Sequence, residues 1–140
     1  MKTNDCIFCK IAAHKVPANI VYEDDDVLAF LDINQATIGH TLVIPKKHYD
    51  NFLSTPTDVL FKVTKVAQRI GQILVEELGA KGINVLTNCY EAAGQSVSHF
   101  HIHVIPRYIA ADGFTIEMKE NKDLDNINLP ALALSIKEKL

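Results

Sequence analysis

His99-Phe100-His101-Ile102-His103-Val104-Ile105 holds three of the six histidines of the chain at strict i, i+2, i+4 spacing. The residues between them are apolar. A period of two marks a β-strand, whose successive side chains point to opposite faces. On such a strand His99, His101 and His103 share one face, and Phe100, Ile102 and Val104 enter a core from the other. The imidazoles then stand roughly 6–7 Å apart along one pleated surface. Two plain readings of the row are a metal site and a polar strand face that happens to use histidine. The second ranks low, because Lys, Thr and Glu cover a wet face more simply.

Working outward, the strand is expected from about Val97 to Pro106. Ahead of it, Gly82 to Thr87 reads as a strand and Asn88 to Gln95 as a loop. Val59, Leu60, Val63, Val66, Ala67, Ile70, Ile73, Leu74 and Leu78 recur at helical spacing. They predict a long helix over 56–78, with Thr55 as N-cap, Pro56 in the first turn and Gly79 as the stop. Gly39 to Pro45 is a further strand. Ile20 to Tyr22 and Val27 to Ile33 flank the acidic turn Glu23-Asp24-Asp25-Asp26 as a hairpin. Asp5 to about His14 reads as a short helix or irregular turn, and Leu129 to Leu140 as a terminal helix. The fold class expected is α+β, an antiparallel meander of about five strands with one long helix between the third and fourth.

The chain has 140 residues, 48% hydrophobic and 22% charged, which suits one soluble globular domain. A formal net charge of −3 argues against nucleic-acid duplexes and anionic membranes as partners. No apolar run approaches a membrane span, and no signal-peptide core is seen, so a cytoplasmic location is the expectation. Three cysteines, an odd number, argue against a disulfide framework in a reducing compartment. Cys6 and Cys9 have the spacing of a zinc half-site, which needs two further ligands; two ordinary small apolar cysteines remain the alternative. Asp32 closes an apolar run, and serves equally as an acceptor for ligand hydroxyls or as a turn aspartate.

A neutral imidazole is a competent nucleophile toward phosphorus, and neighbouring imidazoles disfavour its protonation. Asn88, Gly94, Gln95 and Ser96 supply donors and a close backbone approach just before the histidines. The stretch resembles the His-φ-His-φ-His-φ-φ signature of the histidine triad (HIT) superfamily. The likeness extends to Cys6-Ile7-Phe8-Cys9-Lys10-Ile11, Val21-Tyr22-Glu23-Asp24, Leu28 to Ile33, Gly39 to His48 and Gly94-Gln95-Ser96-Val97.

The resemblance implies a HIT-like fold over 1–140, with a core to about residue 110 and a C-terminal extension over 111–140. It implies a hydrolase or transferase acting on a nucleoside 5′-phosphate derivative through a covalent nucleotidyl-histidine. In that scheme His101 attacks the α-phosphorus. His99, His103, His40, Gln95 and Ser96 complete the catalytic set. Asn88, Gln95, Ser96, His101 and His103 meet the phosphate, and Asp32 takes the ribose hydroxyls. Ile7, Phe8, Ile11, Phe30, Ile33 and Leu42 enclose the base. Similar bacterial proteins hold structural zinc through positions matching Cys6, Cys9, His48 and His99, which would take His99 out of acid–base work. A purine nucleoside monophosphate or derivative is the implied ligand, and a homodimer the implied assembly. Arg107, after the triad strand in place of the Gly-Gly turn of Hint-type members, suggests contact with extra phosphates. The alternative function is a purine-nucleotide-binding regulatory module with vestigial catalysis.

Overall fold

A computed structural model describes residues 5–109, 112–124 and 126–140. Five strands form one antiparallel sheet: β1 (Ile20–Glu23), β2 (Val27–Leu31), β3 (Thr41–Pro45), β4 (Gly82–Leu86) and β5 (Ile102–Arg107). Helices α1 (Ile7–Ala12), α2 (Thr57–Leu78) and α3 (Leu129–Lys137), with 3-10 turns at Phe52–Ser54 and Glu91–Ala93, complete the described elements. Strand order is β1-β2-β3-β5-β4. The first three strands run as a meander. The α2 crossover then delivers β4 to the outer edge, and β5 returns between β3 and β4.

The pleat divides the core in two. Val27, Ala29, Val43, Ile102 and Val104 face α2, with Phe100 beside them. Against them α2 sets Val63, Val66, Ala67, Ile70 and Leu74, all buried and at helical spacing. Several of these are β-branched and poor helix formers, so packing holds the helix. Each fully buried aliphatic contributes about 1.5–3 kcal/mol. On the opposite face Leu28, Phe30, Leu42 and Ile44 pack against Cys6, Phe8 and Ile11 of the α1 segment. That alternation was legible in the sequence, and it puts the histidines on the α1 side.

Three local expectations change. Helix α2 begins at Thr57 with Pro56 as a cap that makes no side-chain bond. Thr55 instead donates its hydroxyl to the Asn51 carbonyl (2.7 Å), because Asn51 organises a preceding 3-10 turn over Phe52–Ser54. The ladder of β5 starts at Ile102, not near Val97. The expected boundary between core and extension, at 110–111, lies outside the described residues. Beyond it, α3 is capped by Asn128, whose side chain accepts from Ala131 N (3.0 Å), and buries none of its residues.

Candidate active site and metal centre

Only His103 of the three histidines lies in β5, paired across the sheet with Leu42 and Leu86. His99, Phe100 and His101 precede the ladder and find other backbone partners. Phe100 N donates to Tyr49 O (2.6 Å), and Thr87 Oγ1 donates to His101 O (2.7 Å). The β4 ladder ends at the Leu86–His103 pair and the β3 ladder at the Val43–Ile102 pair, so the segment before Ile102 bonds to loop residues instead. The side chains still keep the alternation. His101 packs edge-on against Phe8 (centroids 5.1 Å apart) and against His103 (5.0 Å).

Hydrogen bonds fix which nitrogen of each ring carries the proton. His101 Nδ1 sits 2.7 Å from the His99 carbonyl and donates to it. Its Nε2 therefore keeps a lone pair. Burial lowers the pKa of His101, opposed by that bond and by Asp32, so the ring is neutral at neutral pH. Ala36 N donates to His40 Nδ1 (3.3 Å). The proton of a neutral His40 is then on Nε2, which donates to His103 Nδ1 (2.9 Å). His103 in turn carries its proton on Nε2. Burial, aided by His101 and His40, pulls its pKa down to about 4. Asp32 Oδ2 lies 3.7 Å from His40 Nε2, and the polar atoms of Asp32, His40 and His103 lie within 4.8 Å of one another. A metal could fit such a trio by size, but the shared proton occupies the place a cation would take.

A second cluster is built for a cation. Cys6, Cys9, His48 and His99 bring their ligand atoms within 4.8 Å of one another. His99 Nδ1 lies 3.4 Å from both Cys6 Sγ and Cys9 Sγ, and His48 Nδ1 lies 3.2 Å from Cys9 Sγ. Zn–N of about 2.0–2.1 Å and Zn–S of about 2.3 Å give tetrahedral edges of roughly 3.3–3.8 Å. The observed Cys–His spacings, 3.2–3.4 Å, lie at the short end of that range or just below it. Both rings present a bare Nδ1 inward, because each Nε2 donates outward, His99 to Pro45 O (2.8 Å) and His48 to Asp50 Oδ1 (3.0 Å). Such outer partners orient metal-ligating histidines. Burial, with the Cys6 thiol beside it, pushes the Cys9 thiol up to about 11, and a bound cation would favour the thiolate instead. The residues fit zinc.

The apolar candidates form a floor and a rim. Phe8, Ile11, Phe30 and Leu42 are buried in one cluster, whereas Ile7 and Ile33 are exposed, Ile33 at 85%. Asp32 Oδ1 accepts from Asn34 N (2.8 Å), leaving Oδ2 toward His40. Gln95 is spent on its own loop. Its Nε2 donates to Asp50 O (2.6 Å) and Val97 O (3.0 Å), and its Oε1 accepts from Tyr90 N (2.7 Å). It shapes the loop before the histidines, whose Tyr90 has φ of +72°. Gln95 and Ser96, with Asp50, Asn51, Tyr90, Glu91 and Gly94, line a polar cavity of about 690 Å³. Asn88 lies in the same loop, its Nδ2 3.9 Å from where a Cβ on Gly94 would stand. Arg107 is committed elsewhere, to Asp112 (3.2 Å) and Asn84 (2.9 Å) with Phe114 against its guanidinium. These partners occupy Arg107, so the guanidinium expected to contact extra phosphates is held against the C-terminal turn instead. Asp50 escaped sequence reasoning; its position two residues after His48 was the available signal.

The HIT domain profile matches residues 13–110. The chain is a member of the HIT family. An uncharacterised HIT-like protein of Methanocaldococcus jannaschii is 48% identical over 120 residues, 86% of this chain and 92% of that one. The adenylylsulfatase HINT3 of Arabidopsis thaliana is 42% identical over 104 residues, 74% of this chain and 53% of that one. A crystal structure of a HIT family protein from Bacillus anthracis superposes with a TM-score of 0.92 at 40% identity, covering 99% of each chain. A zinc-bound histidine triad family protein from Mycobacterium smegmatis superposes at 0.75 and 34% identity, covering 99% of this chain and all of that one. Among the described residues no helix is long and apolar enough to cross a membrane.

Proposed function

We propose that this HIT protein is a hydrolase or transferase that cleaves a nucleoside 5′-phosphate derivative at the α-phosphorus through a nucleotidyl-His101 intermediate. The observation that carries the reading is the 2.7 Å bond from His101 Nδ1 to the His99 carbonyl. It leaves Nε2 unprotonated and aimed away from its own backbone, as a nucleophile requires.

In the first step Nε2 bonds to phosphorus, and the bond to the leaving group breaks with its electron pair. The leaving atom takes up a proton, for which the Ser96 hydroxyl and His103 Nε2–H are the candidate donors. The adduct is a cationic imidazolium, and the His99 carbonyl stabilises it through the same Nδ1–H. Water then attacks phosphorus and gives up a proton to the group that protonated the leaving atom, the N–P bond breaks with its electron pair returning to Nε2, and a nucleoside monophosphate leaves. Asp32 Oδ2 takes the ribose hydroxyls. Phe8, Ile11, Phe30 and Leu42 floor the base site, and the exposed Ile7 and Ile33 close on its faces. Asn88, Ser96 and the backbone near Gly94 hold the phosphate, with Gln95 bracing them. Zinc held by Cys6, Cys9, His48 and His99 would fasten the N-terminal segment to the triad. With four protein ligands it would leave no position open for substrate.

Turnover of adenosine phosphoramidate and diadenosine polyphosphates tests the reading; an inert chain that binds AMP would favour the vestigial regulatory module instead. The pH profile adds a sign. Because burial holds the His101 pKa below its ordinary 6.5, kcat/KM should be level at neutral pH. It should fall only as pH drops through that lowered value, and an acidic limb centred above 6.5 would count against His101.

The single-domain reading of 1–140, a cytoplasmic location and a homodimer belong to the same proposal. The uncovered apolar face of α3, with Leu129, Leu132 and Ile136 at helical spacing and each at least half exposed, supports the dimer. Sedimentation velocity should give twice the chain mass at micromolar concentration; a monomer there would refute it.

A further inference from the structure

The loop from Asp32 to His40 carries two residues of the proposed site at its ends, and a single side chain closes it. Gln35 Nε2 donates to the carbonyl of Asp32 (2.6 Å) and to the carbonyl of His40 (2.7 Å). Its Oε1 accepts from Gly39 N (2.7 Å). Asp32 N also donates to His40 O (3.0 Å), and His40 N to Thr37 O (3.1 Å). The carboxamide thus spans the neck of the loop and uses both donors and its acceptor. No shorter or aliphatic side chain does this.

The loop is also held from outside. Tyr108 donates its hydroxyl to Ile38 O (2.5 Å), and Gly113 N donates to Ala36 O (3.1 Å). Gly39, at φ +103°, leaves no room for a Cβ, which would stand 2.9 Å from Leu74 Cδ2. The outer bonds fix where the loop sits. The Asp32–His40 backbone bond and the Leu31–Thr41 pair set the separation of its two ends; Gln35 braces the main chain between them, and hence the direction in which the Asp32 carboxylate stands relative to His40. Ala36, next in sequence, supplies the N–H that selects the His40 tautomer.

We propose that Gln35 is a positioning residue of the active site. Its carboxamide sets the Asp32 carboxylate for the ribose and holds Ala36 N–H on His40, so that the proton between His40 and His103 stays in place. The proposal rests on the reading of Asp32 as the ribose acceptor. Gln35 touches neither the nucleotide nor the reacting atoms; it acts through Asp32 and His40.

The test compares adenosine and 2′-deoxyadenosine substrates, as phosphoramidates for turnover and as monophosphates for calorimetric binding. A hydrogen bond from a hydroxyl to a carboxylate supports a preference of roughly tenfold or more for the ribonucleotide in wild type. Gln35→Ala should bring that ratio to within about threefold of unity, with melting temperature and zinc content retained. Gln35→Glu should do the same at pH 7, since its carboxylate still accepts from Gly39 N–H but opposes both carbonyls. A general loosening of the fold would lower both substrates alike and leave the ratio where it was. An unchanged ratio in both variants overturns the proposal. Asp32→Asn separates the two layers. If it abolishes the preference while the Gln35 variants keep it, Gln35 has no positioning role. If Asp32→Asn also keeps the preference, the ribose reading fails and the proposal with it.

Discussion

Replacing His101 by alanine is expected to lower turnover of any accepted nucleotide substrate by on the order of 10⁴-fold or more, while zinc content and AMP binding persist. The size follows from the role. A nucleophile cannot be substituted by its neighbours, since His103 is turned toward His40 and His99 toward the cysteines. The structural cost is confined. His101 makes an edge contact with Phe8 and one hydrogen bond to His99 O, so the variant loses about 1–3 kcal/mol of stability and remains folded. Steady-state kinetics with calorimetric AMP binding reads both halves. Turnover that survives in the variant would refute the nucleophile assignment outright.

The second large effect concerns zinc. Purified, metal-replete protein should carry one zinc per chain, and Cys9→Ala should carry less than half an equivalent. The tie it makes is between α1 and the histidine segment. These lie 90 or more residues apart in sequence and meet directly through Cys6, Cys9 and His99. Structural zinc contributes on the order of 10 kcal/mol where it alone folds a peptide. Here the sheet and α2 form their own core, and a loss of about 3 kcal/mol is the expectation. For a chain of this size that lowers the melting temperature by roughly 10 °C. Metal-free protein should also become more acid-sensitive, His99 adding to the dependence that His103 already gives. The His99 pKa falls from 6.5 to about 4 chiefly through burial. The unfolded state therefore binds the extra proton between those values, and stability drops as pH falls from 6.5 toward 4. Metal analysis with thermal melts, with and without chelator, checks this; equal melting points would contradict the tie.

The sheet and the site were legible in the sequence to different depths. Period-two alternation around His101 and period-3.6 spacing along Val63 to Leu74 are written in neighbouring residues, and both faces of the core follow from them. The order β3-β5-β4 is not local: it depends on where the α2 crossover returns the chain. The resemblance already divided the expected roles of the three histidines, but their proton positions come from the carbonyls of His99 and Pro45 and the N–H of Ala36. Those are backbone atoms, present at every residue and therefore silent in a sequence. Gln35 was missed for the same reason, since all its partners are main-chain groups. Arg107 shows the opposite error: a cation after the histidine strand looked available, but Asp112 and Asn84 hold it.

The central claim is the covalent nucleotidyl-histidine, and the stereochemical course at phosphorus tests it most directly. A substrate made chiral at the α-phosphorus by sulfur and oxygen isotope substitution is hydrolysed, and the configuration of the product is read. Attack by His101 followed by attack by water is two in-line displacements, so the account predicts net retention. Net inversion would mean that water attacks phosphorus directly, and would contradict it.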